Sequence, residues 1–372
     1  MTTDWPAAAR ALGPAFLERA AAHDHDDSFV ADNYVELEAR GFAALAVPEA
    51  LGGGGASYAD ACHTLRVLAQ YCPSTSLALS MHTHLVAANV WKYKNGKPGA
   101  EPLLRKVAAE SAILVSTGAT DWLDSNGSAR RVEGGYRVSG RKVFASGCLA
   151  ADLLITSTAA TDEPEGPSVL HFPLSTKAEG VRIVEDWRTL GMRGSGSHSV
   201  LIEDAFVPES AIVLKRPQGK WHPVWELVLG VAPAIYMSPY MGLAEAAAAL
   251  SLERARQRRR PSLASAVGEL ENALTQARLA WTDMVRLVDD YRFAPSLENS
   301  SEQLVRKTLV TQAVQRVAHL SLEVAGGSSF YRTSLLERLW RDAQAAPFHP
   351  LPERRQLEFC GRQRLGLDVS TV

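Results

Sequence analysis

Three stretches of the chain carry side chains that could move a proton or hydrogen-bond a reacting group. His82 and His84 lie in an apolar run that predicts a helix, while His349 stands in P-F-H-P and Ser146 in the turn F-A-S-G. Histidine changes charge near neutral pH, so it can act as a proton donor or as a base. Each position also has an ordinary explanation, because a helix histidine can be a satisfied core group, a loop histidine can be solvated and a turn serine can bond the backbone.

The elements that must position these residues change type twice along the chain. Residues 1–112 show helical periodicity, residues 113–215 contain short aliphatic runs separated by Gly, Pro, Asp and Ser, and residues 216–372 are helical again. Apolar spacings of 3 and 4 over 267–291 and 310–324 predict helices packed in a bundle. We therefore predict an α+β chain with an N-terminal helical domain (1–112), a central β-barrel or sandwich (113–215) and a C-terminal four-helix bundle (216–372).

Two short motifs predict particular local structures. Ser57, followed three residues later by Asp60, resembles a capping box that begins a helix. The sequence Glu133-Gly134-Gly135 between two strand-like runs predicts a hairpin turn. The glycine run at 52–55 lacks both phosphate-binding spacings, which favours a plain loop.

Composition excludes several classes of function. The formal net charge of −2 gives no reason to expect nucleic acid or an anionic membrane as a partner. The first ten residues do not have the pattern of a signal peptide, and no run of about 18 apolar residues predicts a membrane span. The four cysteines are scattered without a C-x-x-C pair, which argues against a disulfide framework and a metal site. A cytoplasmic location is therefore expected.

Motifs spread along the whole chain carry a family resemblance. The run at 187–208, with L-G-M-R-G-S-G-S-H and E-D-A-F-V-P, is the most informative one. It is joined by G-F-A-A-L-A-V-P-E-A-L-G-G-G-G at 41–55, G-R-K-V-F-A-S-G at 140–147, E-V-A-G-G at 323–327 and L-E-R-L-W-R-D-A at 336–343. Together they resemble the acyl-CoA dehydrogenase superfamily of flavoproteins, in which a flavin lies between the β-domain and the helical bundle.

The resemblance implies a set of flavin-binding residues. Reduced flavin gains negative charge near N1, which N–H and hydroxyl donors stabilise. The residues implied for the ring are Ser116, Thr117, Gly118, Phe144, Ser146 and Gly147, with the Ser146 hydroxyl near flavin N5.

Further residues are implied for a cofactor shared between subunits. Arg258 would reach the flavin pyrophosphate of a neighbouring subunit, and Gly326 and Gly327 would let a second backbone approach. FAD is the expected cofactor. FMN stays as the alternative, because Pro261-Ser262 replaces the aromatic–glycine pair that follows this arginine in the family. The resemblance also implies a homodimer or homotetramer.

The position of the catalytic base separates two activities. Acyl-CoA dehydrogenation needs a carboxylate for the α-proton, but Pro350 and Ala232 occupy the two positions where the superfamily places a glutamate. His349 beside Pro350, a hydroxyl at Ser146 and a histidine at position 84 or 82 resemble the FMN-dependent monooxygenase branch. In that branch a C4a-hydroperoxyflavin reacts, and histidine is the proton donor or the substrate base.

Three interpretations of function follow. The main one is flavin-dependent α,β-dehydrogenation of an acyl-CoA, with hydride passing to flavin N5 and electrons passing to a flavoprotein acceptor. The alternative is a flavin monooxygenase of a small molecule, supplied by a flavin reductase, with His349, Ser146 and His84 as its catalytic residues. The third is a catalytically silent flavoprotein or assembly partner.

Overall fold

Helices form both ends of the chain and a sheet forms its middle. The computed structural model describes residues 3–118 and 121–372. In those residues the helices are α1 (Trp5–Asp26), α2 (Ala31–Ala39), α3 (Tyr58–Ala69), α4 (Pro73–Lys94) and α5 (Glu101–Glu110), then α6 (Val224–Arg258), α7 (Ala264–Val288), α8 (Leu297–Ala325), α9 (Leu335–Ala343) and α10 (Glu353–Leu365). The strands are β1 (Leu114–Ser116), β2 (Ser128–Val132), β3 (Gly135–Lys142), β4 (Leu153–Ala160), β5 (Ser168–Ser175), β6 (Val181–Val184), β7 (Ser199–Pro208) and β8 (Leu214–Pro217).

Local signals in the sequence begin and end several of these elements. Ser57 caps α3: its hydroxyl accepts a hydrogen bond from the Asp60 amide at 3.1 Å, which confirms the predicted cap. The predicted hairpin is confirmed as well, since β2 pairs antiparallel with β3 and Gly134 adopts a φ of 77° between them.

The strands form one mixed sheet. Its order is β6-β7-β3-β2-β4-β5-β8, and β1 pairs parallel with β4 outside this path. The predicted strand-rich middle is thus confirmed, with the topology of an eight-stranded sheet. Strands β4, β5 and β8 lie side by side, so Ser157, His171 and Leu214 are neighbours in register.

The helices from both ends of the chain share one core. Helix α6 packs against α3 and α4 on one side and against α7 and α8 on the other. The sheet has its own apolar cluster around Val138, Phe172 and Ile202. Helix α6 is therefore the element that joins the N-terminal helices, the bundle and, through its first turns, the sheet.

Helix α6 is also long and apolar enough by composition to cross a membrane. Of the residues in its most apolar window, 94% are buried inside the protein. Its apolar character is accounted for by this central position, because a helix that packs on all sides is apolar on all faces.

Candidate active site

A cavity of about 600 Å³ opens between α4, the sheet, α6 and the loop that joins α9 to α10. Its walls are mostly apolar and aromatic, which is typical of small-molecule sites. It brings together Ser146, His84 and His349, which are far apart in sequence. These are the three residues that the resemblance to the monooxygenase branch implies as catalytic.

Three residues, Tyr240, Tyr236 and Lys307, hold His349 at the cavity wall. Its Nε2 lies 2.8 Å from the Tyr240 hydroxyl, and its ring stacks on Tyr236 with centroids 5.0 Å apart and planes at 13°. Its carbonyl accepts a hydrogen bond of 2.8 Å from the ammonium of Lys307. Burial, with help from the charge of Lys307 and from His84, lowers the pKa of His349 to about 3, so the imidazole is neutral at neutral pH.

The two histidines of α4 have different surroundings. His82 is 1% exposed, with Nε2 donating to the Ala43 carbonyl at 2.7 Å and Nδ1 accepting from the Leu114 amide at 3.0 Å. Both of its ring nitrogens are used by the backbone, so His82 joins α4 to β1 and has no free atom for chemistry. His84 lines the cavity, and only its Nδ1 has a protein partner in the described chain, the Ser80 carbonyl at 3.3 Å. Burial lowers the pKa of His84 to about 4.

A chain of three serine hydroxyls ends at the cavity. Ser195 and Ser197 are joined at 2.7 Å, and Ser197 donates to Ser146 Oγ at 2.7 Å. Because Ser146 accepts this bond, its own hydroxyl proton is available to a group in the cavity. Beside it, Phe144 has a φ of 57° and meets Trp187 edge-on with ring centroids 5.9 Å apart, forming an aromatic wall. Gly147 does not line the cavity. It packs against Tyr34, whose hydroxyl would be 3.0 Å from a Cβ at this position.

Some residues at the end of β1 line the cavity, and one is buried behind its wall. Ser116 and Gly118 line the cavity, whereas Thr117 is 3% exposed and donates to Thr156 Oγ1 at 2.8 Å. Thr156 lines the cavity in its place, and its own hydroxyl proton is free to be donated. Ser146 and Thr156 are thus two hydroxyl donors oriented by a second hydroxyl behind each.

Arg258, Gly326 and Gly327 lie together but away from this cavity. Arg258 Nη2 donates to Ser328 Oγ at 3.3 Å, and a Cβ on Gly326 would come within 2.4 Å of Arg258 Nη1. None of the three contributes to the cavity wall. The residues predicted to bind cofactor therefore form two separate groups within one chain.

The two positions expected to hold a catalytic glutamate both face the cavity, since Pro350 and Ala232 line it. The nearest carboxylates in sequence, Glu353 and Glu226, do not. Among the described residues, Asp121 is the one carboxylate in the wall, and it is bound to the Lys142 ammonium at 2.6 Å. The described wall therefore supplies no carboxylate in a position to act as a free base.

Comparisons with known proteins identify the family of the chain. Models of the N-terminal and C-terminal domains of acyl-CoA dehydrogenase match residues 7–97 and 234–352. The chain belongs to the acyl-CoA dehydrogenase superfamily.

Relatives within the superfamily have different activities. The chain is 27% identical to the putative acyl-CoA dehydrogenase YdbM of Bacillus subtilis, over 90% of each chain. It is also 27% identical to the amino sugar nitrososynthase RubN8 of Streptomyces rubradiris, over 95% of this chain and 88% of that one. A solved structure of KijD3 in complex with FMN and dTDP-3-amino-2,3,6-trideoxy-4-keto-3-methyl-D-glucose superposes with a TM-score of 0.89 at 23% identity, covering 100% and 96% of the two chains.

The cavity of this superfamily member fits a flavin in size and in wall chemistry. Its volume lies within the range of about 300–1,000 Å³ that ligand pockets occupy. Flavin carbonyls and ring nitrogens need donors, which Ser146 and Thr156 provide, and the ring faces need an apolar surface, which Phe144 and Trp187 provide.

Three functional residues were not predicted from the sequence: Tyr236 and Tyr240 in the cavity wall, and Lys307, which holds the His349 loop from outside the wall. Tyr236 and Tyr240 are four residues apart on α6, a spacing that places both on one helix face and could have identified them as a pair. Lys307 is 1% exposed and donates to the carbonyls of His349 and Leu351 at 2.8 and 3.0 Å. The sequence feature that could have identified Lys307 is a lysine within the mostly apolar buried face of α8.

Proposed function

We propose that the chain is a flavin-dependent monooxygenase that acts on a small molecule and receives its reduced flavin from a separate reductase. The observation that carries this proposal is the cavity wall: it presents neutral histidines and hydroxyl donors and, in the described residues, no free carboxylate. The similarity to an amino sugar nitrososynthase and to an FMN-bound structure supports it.

Bound reduced flavin would supply the electrons and the activation of O₂. Ser146 and Thr156, whose hydroxyl oxygens already accept from Ser197 and Thr117, would donate to its polar edge. Phe144 and Trp187 would cover the ring and limit the entry of water. These roles require no titratable group in contact with the ring.

His349 and His84 would handle the proton of the oxygenation step. Both imidazoles are neutral at neutral pH, because burial lowers their pKa values to about 3 and about 4. A neutral imidazole has one N–H and one lone pair, so it can donate a hydrogen bond to an oxygen atom and accept one from the substrate without bringing a charge into an apolar cavity. Tyr240, whose phenol pKa is raised well above its usual value by burial, keeps its proton and fixes the His349 ring.

The acyl-CoA dehydrogenase activity is the second candidate, since one relative has that name. It would require a base for the α-proton from outside the described cavity wall. The histidines are poor substitutes, because lowered pKa values make them weak bases.

One experiment separates the candidates. The purified protein is first tested for bound FMN or FAD and then titrated anaerobically with a panel of acyl-CoA thioesters while the flavin absorbance is followed. The proposal expects no bleaching by acyl-CoA, and O₂-dependent oxygenation of a substrate when reduced FMN is supplied. Bleaching of the flavin by any acyl-CoA would refute the proposal in favour of dehydrogenation. Failure to bind either flavin would refute both and support a silent protein.

A further inference from the structure

The cavity has two ends that differ in chemistry. One end lies near Ser146, and the other is formed by the C-terminal half of α4 and the β4-β5-β8 side of the sheet. Lys92, the only lysine among the described wall residues, lies here, and so do His171 and Asp121. None of these three is used in the proposed handling of flavin or proton.

Lys92 is a cation without a partner in this wall. It is half-buried, and its ammonium forms no hydrogen bond or ion pair with any residue in 3–118 or 121–372. Lys94, one half-turn further along α4, is paired with Asp290 at 2.9 Å. Burial lowers the pKa of Lys92, which shows that the ammonium is partly removed from water. An anion bound in the cavity would offset that cost.

His171 provides a neutral N–H donor at the same end. Its Nε2 accepts a hydrogen bond of 3.0 Å from Arg216 Nε, and arginine can only donate. The other ring nitrogen, Nδ1, must therefore carry the proton, and burial keeps the ring neutral by lowering its pKa to about 3. Both side chains line the same cavity, and the charge of Lys92 contributes to the lowered pKa of His171.

Arg216 makes this donor rigid. It is 1% exposed, and its other nitrogens donate to the carbonyls of Leu123, Asp121 and Asp124 at 2.8 to 3.2 Å. Its guanidinium also lies over the Trp225 ring, 5.2 Å from the centroid. Each of its three nitrogens donates to a protein group, so Arg216 fixes His171 and the segment from Asp121.

The charges of this end select the charge of the ligand. Lys92 is the one cation among the described wall residues that has no carboxylate partner, because Arg341 pairs with Asp24 and Glu337. The wall carboxylate Asp121 is paired with Lys142 at 2.6 Å. A dianion such as a phosphate would meet a single cation and would also approach the Asp121 carboxylate. A monoanion meets one ammonium and one N–H donor, which matches a carboxylate.

The wall between the two ends is apolar and aromatic. Leu85, Ala88, Val228 and Trp225 line it. His84 and Lys92 are eight residues apart on α4, so the reacting end and the cationic end are separated by on the order of 10 Å along the helix axis.

We propose that this end of the cavity binds the carboxylate of the substrate, with the Lys92 ammonium and the His171 Nδ1–H as its two ligands. The substrate class is then an aromatic or otherwise apolar carboxylic acid whose oxidised atom lies on the order of 10 Å from its carboxylate. The proposal rests on the proposed function only in placing the reaction near His349 and His84.

The test compares matched acid and amide probes by isothermal titration calorimetry with the purified full-length protein. Indolepropionate and phenylbutyrate are each paired with their primary amides, and phenyl phosphate serves as the dianion. We expect the wild-type protein to bind each acid about tenfold more tightly than its amide, the size of one charge-assisted hydrogen bond. Phenyl phosphate should bind more weakly than the acids.

Variants at position 92 identify the group responsible. Lys92→Met should remove the preference for acid while leaving amide affinity within about twofold, and Lys92→Arg should retain the preference. Lys97→Met is the control: it removes the same charge from an exposed position just beyond α4 and should change nothing. Thermal unfolding of each variant shows that it is folded.

Three outcomes would overturn the proposal: equal affinity for acid and amide in the wild type, an acid preference that survives in Lys92→Met, and no binding of any probe at millimolar concentration. None of these depends on oxygenase turnover. Absence of flavin-dependent oxygenation with an intact acid preference would refute the proposed function and leave the carboxylate site standing.

Discussion

Replacing Lys307 by methionine should change stability in a way that depends on pH. The Lys307 side chain, inside α8, is 1% exposed, and its ammonium holds the carbonyls of His349 and Leu351. Removing it leaves two carbonyls without their donor, at a cost of about 1–3 kcal/mol each when buried. The same change also removes a charge that burial disfavours, so the net loss at pH 7 is smaller than the sum.

The pKa of Lys307 gives the size of that second effect. Burial lowers it from 10.5 to about 8, which corresponds to about 3.4 kcal/mol between the charged and neutral forms. The unfolded chain binds the proton up to about pH 10.5, whereas the folded chain releases it above about pH 8, so the stability of the wild type rises with pH in this window. Between pH 7 and pH 10 the wild type should gain about 2.5 kcal/mol relative to Lys307→Met.

Thermal unfolding measures this gain. For 372 residues, an unfolding entropy of about 2.1 cal/mol/K per residue gives about 0.8 kcal/mol per degree, so the difference in Tm should grow by about 3 °C from pH 7 to pH 10. Lys97→Met, an exposed lysine, should show no such growth. A Tm difference that is constant over this range would refute the burial of Lys307 and its role in holding the His349 loop.

The remaining predictions concern the cavity and the second group of cofactor residues. His349→Ala should lower turnover by about 10²–10⁴-fold with flavin still bound, and unchanged turnover would remove His349 from the mechanism. His84→Gln should lower turnover with little change in Tm, whereas His82→Gln should lower Tm, because His82 bonds two backbone groups. The opposite result would reverse the two roles. Ser197→Ala should weaken flavin binding by less than about tenfold, as measured by fluorescence titration, since it only orients Ser146, and a complete loss would contradict this. Arg258→Ala should weaken FAD and leave FMN unchanged, because Arg258 lies away from the cavity that receives the ring; equal weakening of both would show that it acts on the ring site.

Much of the architecture could be predicted from sequence because it depends on local pattern. Apolar spacings of 3 and 4 produced α7 and α8, and the Ser57 cap and the Gly134 turn each lie within a few residues of the groups they bond. Pro350 and Ala232 could likewise be assigned to the two glutamate positions by counting residues along the sequence, and both line the cavity.

Which histidine is free for chemistry was decided only by the tertiary structure. His82 and His84 are two residues apart on one helix, and the sequence offers no distinction between them. The difference comes from Ala43 and Leu114, which approach from other parts of the chain and use both nitrogens of His82. Contacts of this kind depend on how helices and strands meet, which local periodicity does not encode.

The sequence by itself determined that this is a helix–sheet–helix flavoprotein-type chain without the usual glutamate, since those features reside in residue types and their order. The tertiary structure decided what replaces the glutamate. Packing of α6 and α8 against the loop of His349 surrounds the imidazole with Tyr236, Tyr240 and Lys307 and keeps it neutral. A pKa depends on burial and on charges brought close by folding, so it becomes defined only when those elements pack together.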